Sequence, residues 1–248
     1  MEKNDNCLQL GTFLIDLIFF SIVITTTLFF LNITVTPINF IFSVFCSSVI
    51  CFYSNKNIKK TIWITLFGIL ILIVTIVICE HTFDFSWDGN TYHKTMTAFM
   101  KNGWNPLKVT FYDYAASDIP SCAVLSQTWL DAYPKGAEIF AACIYAITGN
   151  IEGGKCFNIL ACIAMCFISC GFLGETTSLR RGQKIICSIL LALNPVAFSQ
   201  FFTYYIDGLL WQFFLLCIFC LAYLTLCEDG RLIKYCYCLL YTSPSPRD

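Results

Sequence analysis

The chain has 248 residues, 57% of them apolar and only 12% charged, with a mean hydropathy of +0.70 and a net charge of −1. Soluble domains carry about 25% charge, so an ordinary water-soluble globule is excluded, and 24 Phe, 12 Tyr and 5 Trp exclude a disordered chain. With 15 Lys and Arg against 16 Asp and Glu there is no basic field for nucleic acid, and membrane lipid is the expected solvent and partner.

A membrane helix needs about 20 mostly apolar residues. Leu10 to Leu31 meets this, with Asp16 inside it, placed to reach the interface on the N-terminal side. Ile38 to Tyr53 follows after an uncharged loop and is expected to form a hairpin with the first span. Thr61 to Cys79, Cys156 to Leu173, Ile185 to Ile206 with Pro195 inside it, and Gly208 to Cys227 complete six expected spans. The fold class expected is therefore all-α, a polytopic membrane helix bundle with a long extracytoplasmic loop and membrane-surface helices. Three spans occupy residues 1–79, the loop 80–155, and three more spans with the start of another 156–237. Sixteen cysteines lie mostly in apolar runs, where thiols act as small hydrophobes; Cys162, Cys166 and Cys170 form one helix stripe without metal-ligand company.

Cytoplasmic loops collect Lys and Arg. Lys56, Lys59 and Lys60, then Arg180, Arg181 and Lys184, then Arg231 and Lys234 all fall inside if six spans alternate from a cytoplasmic N-terminus. The localisation expected is the plasma membrane, multi-pass, with residues 80–155 and the turn at Tyr204 to Asp207 outside. Ala137 to Thr148 is apolar but too short to cross ~30 Å of hydrocarbon, so it is expected to lie on the outer face or dip into it. Trp87, Trp104 and Trp129 are expected interfacial anchors.

The external loop opens with acids and imidazoles crowded against a span end: Glu80, His81, Asp84, Asp88 and His93, followed by Lys94. Near lipid a carboxylate loses solvation and its pKa tends upward, which suits a proton acceptor for a hydroxyl; Lys94 or Lys101 would keep it ionised or hold a phosphate. The plainer reading is solvated loop charge beside a helix end. His81 and His93, twelve apart, read as surface histidines; no cofactor is expected, and the pattern does not support a divalent metal. Asp207 is an ionisable group at a span end, a functional marker or simply a helix N-cap.

The last eleven residues, Cys238 to Asp248, break into a Ser/Pro tail that resembles a translated sequencing-library adapter, so the natural chain is expected to continue beyond Tyr237.

Three segments together resemble the GT-C superfamily of integral-membrane glycosyltransferases, in the branch of protein O-mannosyltransferases and lipid A aminoarabinose transferases. They are Ser86 to Lys94 (SWDGNTYHK), Tyr133 to Ile139 (YPKGAEI), and Asn194-Pro195 followed by Thr203 to Leu210 (TYYIDGLL). The resemblance implies transfer of a sugar from a polyprenyl-phosphate donor to a glycan, lipid or protein acceptor on the outer face of the membrane. It makes Asp88 the catalytic base and Asp207 a second acid of the same cavity. It also places Asp84, Tyr92, His93, Lys94 and Lys135 at the substrates, with Lys135 toward the donor phosphate. Where many relatives carry two adjacent acids this chain has Asp88-Gly89, which leaves the second acid's task to Asp84, to Glu80 or to nothing. Outside this resemblance, a transporter or flippase for lipid-linked polymers would need polar residues at mid-membrane, which the spans largely lack apart from Asp16, and an assembly protein would use the loop as a docking surface.

Overall fold

The computed structural model describes residues 2–115 and 128–226, and every regular element among them is helical. Five apolar segments are long enough to cross a membrane: α1 (Glu2–Phe30), α2 (Pro37–Asn55), α3 (Ile58–Glu80), α7 (Phe157–Thr176) with the 3-10 turn Ile151–Cys156 before it, and α10 (Asp207–Leu226). Shorter helices connect them: α4 (Lys94–Lys101), which continues a π-helical turn at Gly89–His93, then α5 (Phe111–Ala115), α6 (Gly136–Thr148), α8 (Arg181–Ala192) and α9 (Pro195–Ser199). The third basic cluster, Arg231 and Lys234, and the adapter-like tail lie outside the described residues.

Runs of Ile, Val and Phe would favour strands in water. In hydrocarbon the backbone has no water to bond and must satisfy itself, which a helix does within one segment. Hydroxyls inside the spans obey the same rule: Ser21 donates to Leu17 O at 2.6 Å and Ser47 to Ser43 O at 2.8 Å, each four residues back. The turn between α2 and α3 is equally local. Lys56 adopts φ 51° and returns its N–H to Phe52 O, and Asn57 accepts the Lys60 N–H at 3.2 Å.

The central pair is α1 against α7. A Cβ on Gly11 would come within 2.6 Å of Ala164 O, and one on Gly171 within 2.9 Å of Leu8 Cβ, so both helices approach through glycine. In the 151–176 span 72% of the apolar window is buried, against 28% in α2 and in α3, which form the periphery. One end of the bundle is tied by Asn55 Nδ2 donating to Gln9 Oε1 at 3.3 Å and Lys184 Nζ to Gly174 O at 3.2 Å. The other is tied by Asn39 Nδ2 to Thr25 Oγ1 at 3.2 Å and Asn105 Nδ2 to Phe29 O at 2.8 Å. Lys56, Lys59 and Lys60 therefore gather at the same end as Arg180, Arg181 and Lys184.

Four expectations need correction. Ile185 to Ile206 is not one helix: α8 ends at Ala192 and α9 begins at Pro195, because proline lacks an N–H and disfavours helical geometry in the residue before it. Asn194 caps the new start, accepting the Ala197 N–H at 2.9 Å. Second, of the two placements expected for α6, lying on a face or dipping in, the surface-lying one is corrected. Ala137 through Ile144 are all buried, with Cys143 Sγ 3.3 Å from Thr25 Oγ1 and Phe140 against Phe40, so the helix dips between α1, α2 and α4. Third, Trp104 is fully buried, its indole N–H donating to Val109 O at 3.0 Å, and is no interfacial anchor. Fourth, Asp16 is buried rather than extended to an interface, because it lies seven residues, about 10 Å, deeper along α1 than Gln9.

Gly11→Val should weaken the α1–α7 contact by about 1–3 kcal/mol. Gly182→Ala, where a Cβ meets nothing within 4 Å, should be nearly neutral. Thermal unfolding of the two variants in one detergent checks this.

Candidate functional site

The loop after α3 folds around one carboxylate. Asp84 is fully buried; its Oδ1 accepts the Ser86 N–H and its Oδ2 the Tyr204 N–H, each at 2.8 Å. Asn90 Nδ2 donates to Asp84 O at 2.7 Å and Ser86 O at 2.8 Å, closing the turn. A Cβ at Gly89 would strike both the Asp84 carboxylate and Ser86 Oγ. Position 89 therefore has no room for the second acid seen in the resembling family, and the acid that fills the space, Asp84, spends both oxygens on backbone N–H groups. In this structure Asp84 acts as a structural latch.

A second carboxylate extends the latch. Glu152, from the 3-10 turn before α7, bonds Lys94 through Oε1 and Lys155 through Oε2, and accepts the Asp84 N–H at 3.2 Å. Lys155 is fully buried and also donates to Thr82 O. Lys94 donates to Asn90 Oδ1 at 3.0 Å and stands 4.2 Å from the centroid of the Phe83 ring. Lys94 is thus held by Glu152. Tyr204 completes the link by donating its hydroxyl to Ile151 O.

Asp88 stands outside this network. It is partly exposed and opens the π-helical turn, whose wider i→i+5 spacing occurs often at functional sites. Tyr92 lies beside it, and burial together with the neighbouring Asp88 carboxylate pushes that phenol's pKa up; Tyr133 and Tyr205 add to the rise. Around this pair lies an aromatic wall. The Tyr92 ring is 5.6 Å from Trp129 and 5.4 Å from Tyr133, and Trp129 is 5.7 Å from Trp87. Loop 80–94, the helical residues 128–132 and the loop before α10 meet here.

His93, expected at the surface, is buried, because α4 packs on α6 and its Nδ1 meets Glu138 Oε1 at 2.5 Å. Glu138 is buried too, and its Oε2 has no hydrogen-bond partner among the described residues. Lys135 is partly exposed and donates to Asp131 O at 3.0 Å and Tyr133 O at 2.8 Å. Burial pushes its pKa down, with Glu138 and Asp131 opposing. Asp207 is exposed and begins α10; its Oδ2 accepts from Gln200 Nε2 at 2.8 Å, while Gln200 Oε1 accepts the Gly208 N–H at 2.6 Å. Asp88 and Asp207 lie at the same end of the bundle, linked through the 203–206 loop that Asn158 holds by donating to Thr203 O at 3.1 Å and Tyr205 O at 2.9 Å.

Glu152, Lys155 and Asn158 were not singled out from the sequence, and Tyr204 was quoted only as part of a motif. Each is a common residue type in an apolar or loop setting, and only long-range contacts give them a role. Glu138 lay within a quoted motif, but nothing in the spacing pointed it at His93. Among the described residues no group of three or more His, Cys, Asp or Glu is gathered to hold a metal ion.

Two outcomes follow from this geometry. Glu152→Gln leaves Lys155 buried without its counter-charge and should cost about 3–5 kcal/mol in thermal or denaturant unfolding. An ordinary tyrosine is half ionised near pH ~10. Because the raised pKa defers Tyr92's ionisation to higher pH, the wild-type minus Tyr92→Phe difference spectrum should show almost no tyrosinate absorbance at that pH.

Comparison of the chain with protein-family models, with curated protein sequences and with solved structures finds no match.

Proposed function

We propose that this protein is a membrane glycosyltransferase that moves a sugar from a polyprenyl-phosphate carrier to an acceptor of the cell envelope. The observation that carries the reading is the arrangement at Asp88: a partly exposed carboxylate next to a raised-pKa phenol and an aromatic wall of Trp87, Trp129, Tyr92 and Tyr133. A sugar ring offers C–H groups on its faces and hydroxyls at its edge, which suits aromatic side chains with a polar group at their margin. The end that holds Asp88 faces outward, because the basic clusters at the opposite end belong in the cytoplasm. The α8–α9 pair then makes the sixth crossing as a broken helix, joining Lys184 at one end to the Asn158-bonded loop at the other.

In the reaction the acceptor oxygen attacks the anomeric carbon of the donor sugar as the bond to the carrier phosphate breaks. Asp88 takes the acceptor's hydroxyl proton, and the neighbouring Tyr92, protonated at neutral pH as any phenol is, orients the carboxylate. The leaving phosphate carries negative charge at headgroup level. Lys135, on the turn that bears Tyr133, is the cation placed to meet it, while Lys94 and Lys155 are committed to Glu152.

The full-length protein, assayed with a panel of polyprenyl-phosphate sugars and envelope acceptors, tests the assignment. Asp88→Asn should lower turnover roughly 10²–10⁴-fold, the usual worth of a general base, with expression and donor binding kept. Transfer at the wild-type rate in Asp88→Asn would refute the assignment.

A further inference from the structure

The periphery of the bundle carries a groove that the outward-facing site does not use. It lies between α2 and α3, encloses about 380 Å³, and has Phe45, Phe52, Ile58 and Leu66 as walls. The hydroxyls of Ser48 and Thr65 at its side are 3.1 Å apart and satisfy each other, so the groove offers an occupant apolar contact alone.

Its mouth has a different character. Phe52 and Ile58, both in the lining, flank the turn that carries Lys56, and Lys59 follows Ile58 directly. Both lysines are exposed, and neither enters an ion pair among the described residues. The chain has no Asp or Glu at all between Asp16 and Glu80. The N-terminus of α3, a 23-residue helix, adds the positive end of its dipole at the same place. Trp63, half exposed and stacked on Phe67 at 5.2 Å, lies one turn further along α3, where an aromatic side chain meets the headgroup boundary. An occupant that suits both halves is apolar along the helices and anionic where they end.

We propose that the α2–α3 groove binds an anionic phospholipid, with one acyl chain between the two helices and the phosphate at Lys56 and Lys59. A zwitterionic lipid fills the same groove but brings its own cation to the lysines and gains nothing from them. A packed second copy of the chain or a further helix would meet two uncompensated charges at the mouth. The site is independent of the transferase reading and of which face of the membrane it occupies.

The test uses the full chain in mild detergent, given phosphatidylglycerol or phosphatidylcholine with identical oleoyl chains, and counts retained lipid by native mass spectrometry. Phosphatidylglycerol should be retained roughly tenfold or more over phosphatidylcholine, each lysine contributing about fivefold. The exposed double substitution Lys56→Gln with Lys59→Gln should bring phosphatidylglycerol down to the phosphatidylcholine level with helical content unchanged. Ser48→Phe, which fills the groove, should reduce retention of both lipids. Equal retention by the unaltered chain, a preference that survives the double substitution, or a dimer that excludes both lipids would overturn the proposal.

Discussion

The end of the bundle that carries the 80–94 loop depends on the desolvated carboxylate of Asp84. A charge out of water persists only where hydrogen bonds replace its hydration, and Asp84 finds them on Ser86 and on Tyr204, 120 residues away. Glu152 does the same for Lys94 and for the fully buried Lys155. Three segments remote in sequence, the loop after α3, the 3-10 turn before α7 and the loop before α10, are thereby fastened together at one end of the bundle. Loosening any of them exposes an unpaired buried charge, so the ends of α3, α7 and α10 are held in one register.

The latch also decides which groups are left for chemistry. Asp84 and Lys94 carry charges that, in the sequence, look as available as those of Asp88 and Lys135. In the fold they are consumed by Tyr204, Ser86 and Glu152. Asp88 sits four residues beyond Asp84, at the start of the π-helical turn, where its charge acts on Tyr92. Gly89 is required because Asp84 lies where its Cβ would be. Packing thus separates the two acids: Asp84 is buried as structure and Asp88 remains partly exposed.

The α1–α7 contact supplies the complementary constraint. Without a hydrophobic force between helices in lipid, association comes from close packing, and Gly11 and Gly171 allow it. With that pair fixed, α6 has room to enter between α1, α2 and α4, which buries His93 against Glu138 and sets the floor under the π-helical turn. The α2–α3 hairpin, packed at the periphery, leaves most of its apolar surface uncovered.

The helical class, the five long apolar helices and the basic loop between the second and third of them were legible in the sequence, because each follows from a run of apolar residues or its interruption. The break at Asn194-Pro195 was also written there, yet the apolar run around it outweighed it. The segments bearing Asp88, Tyr133 and Asp207 could be picked out by residue type, but not the state of their side chains. What the sequence by itself determined was local: which stretches avoid water, and where helices begin and stop. Only the tertiary structure decided that Asp84 and Lys94 are spent in a latch, that His93 is buried and that α6 is a core helix. Desolvation and pairing of charge depend on neighbours that lie up to 120 residues away along the chain, and no local pattern encodes them.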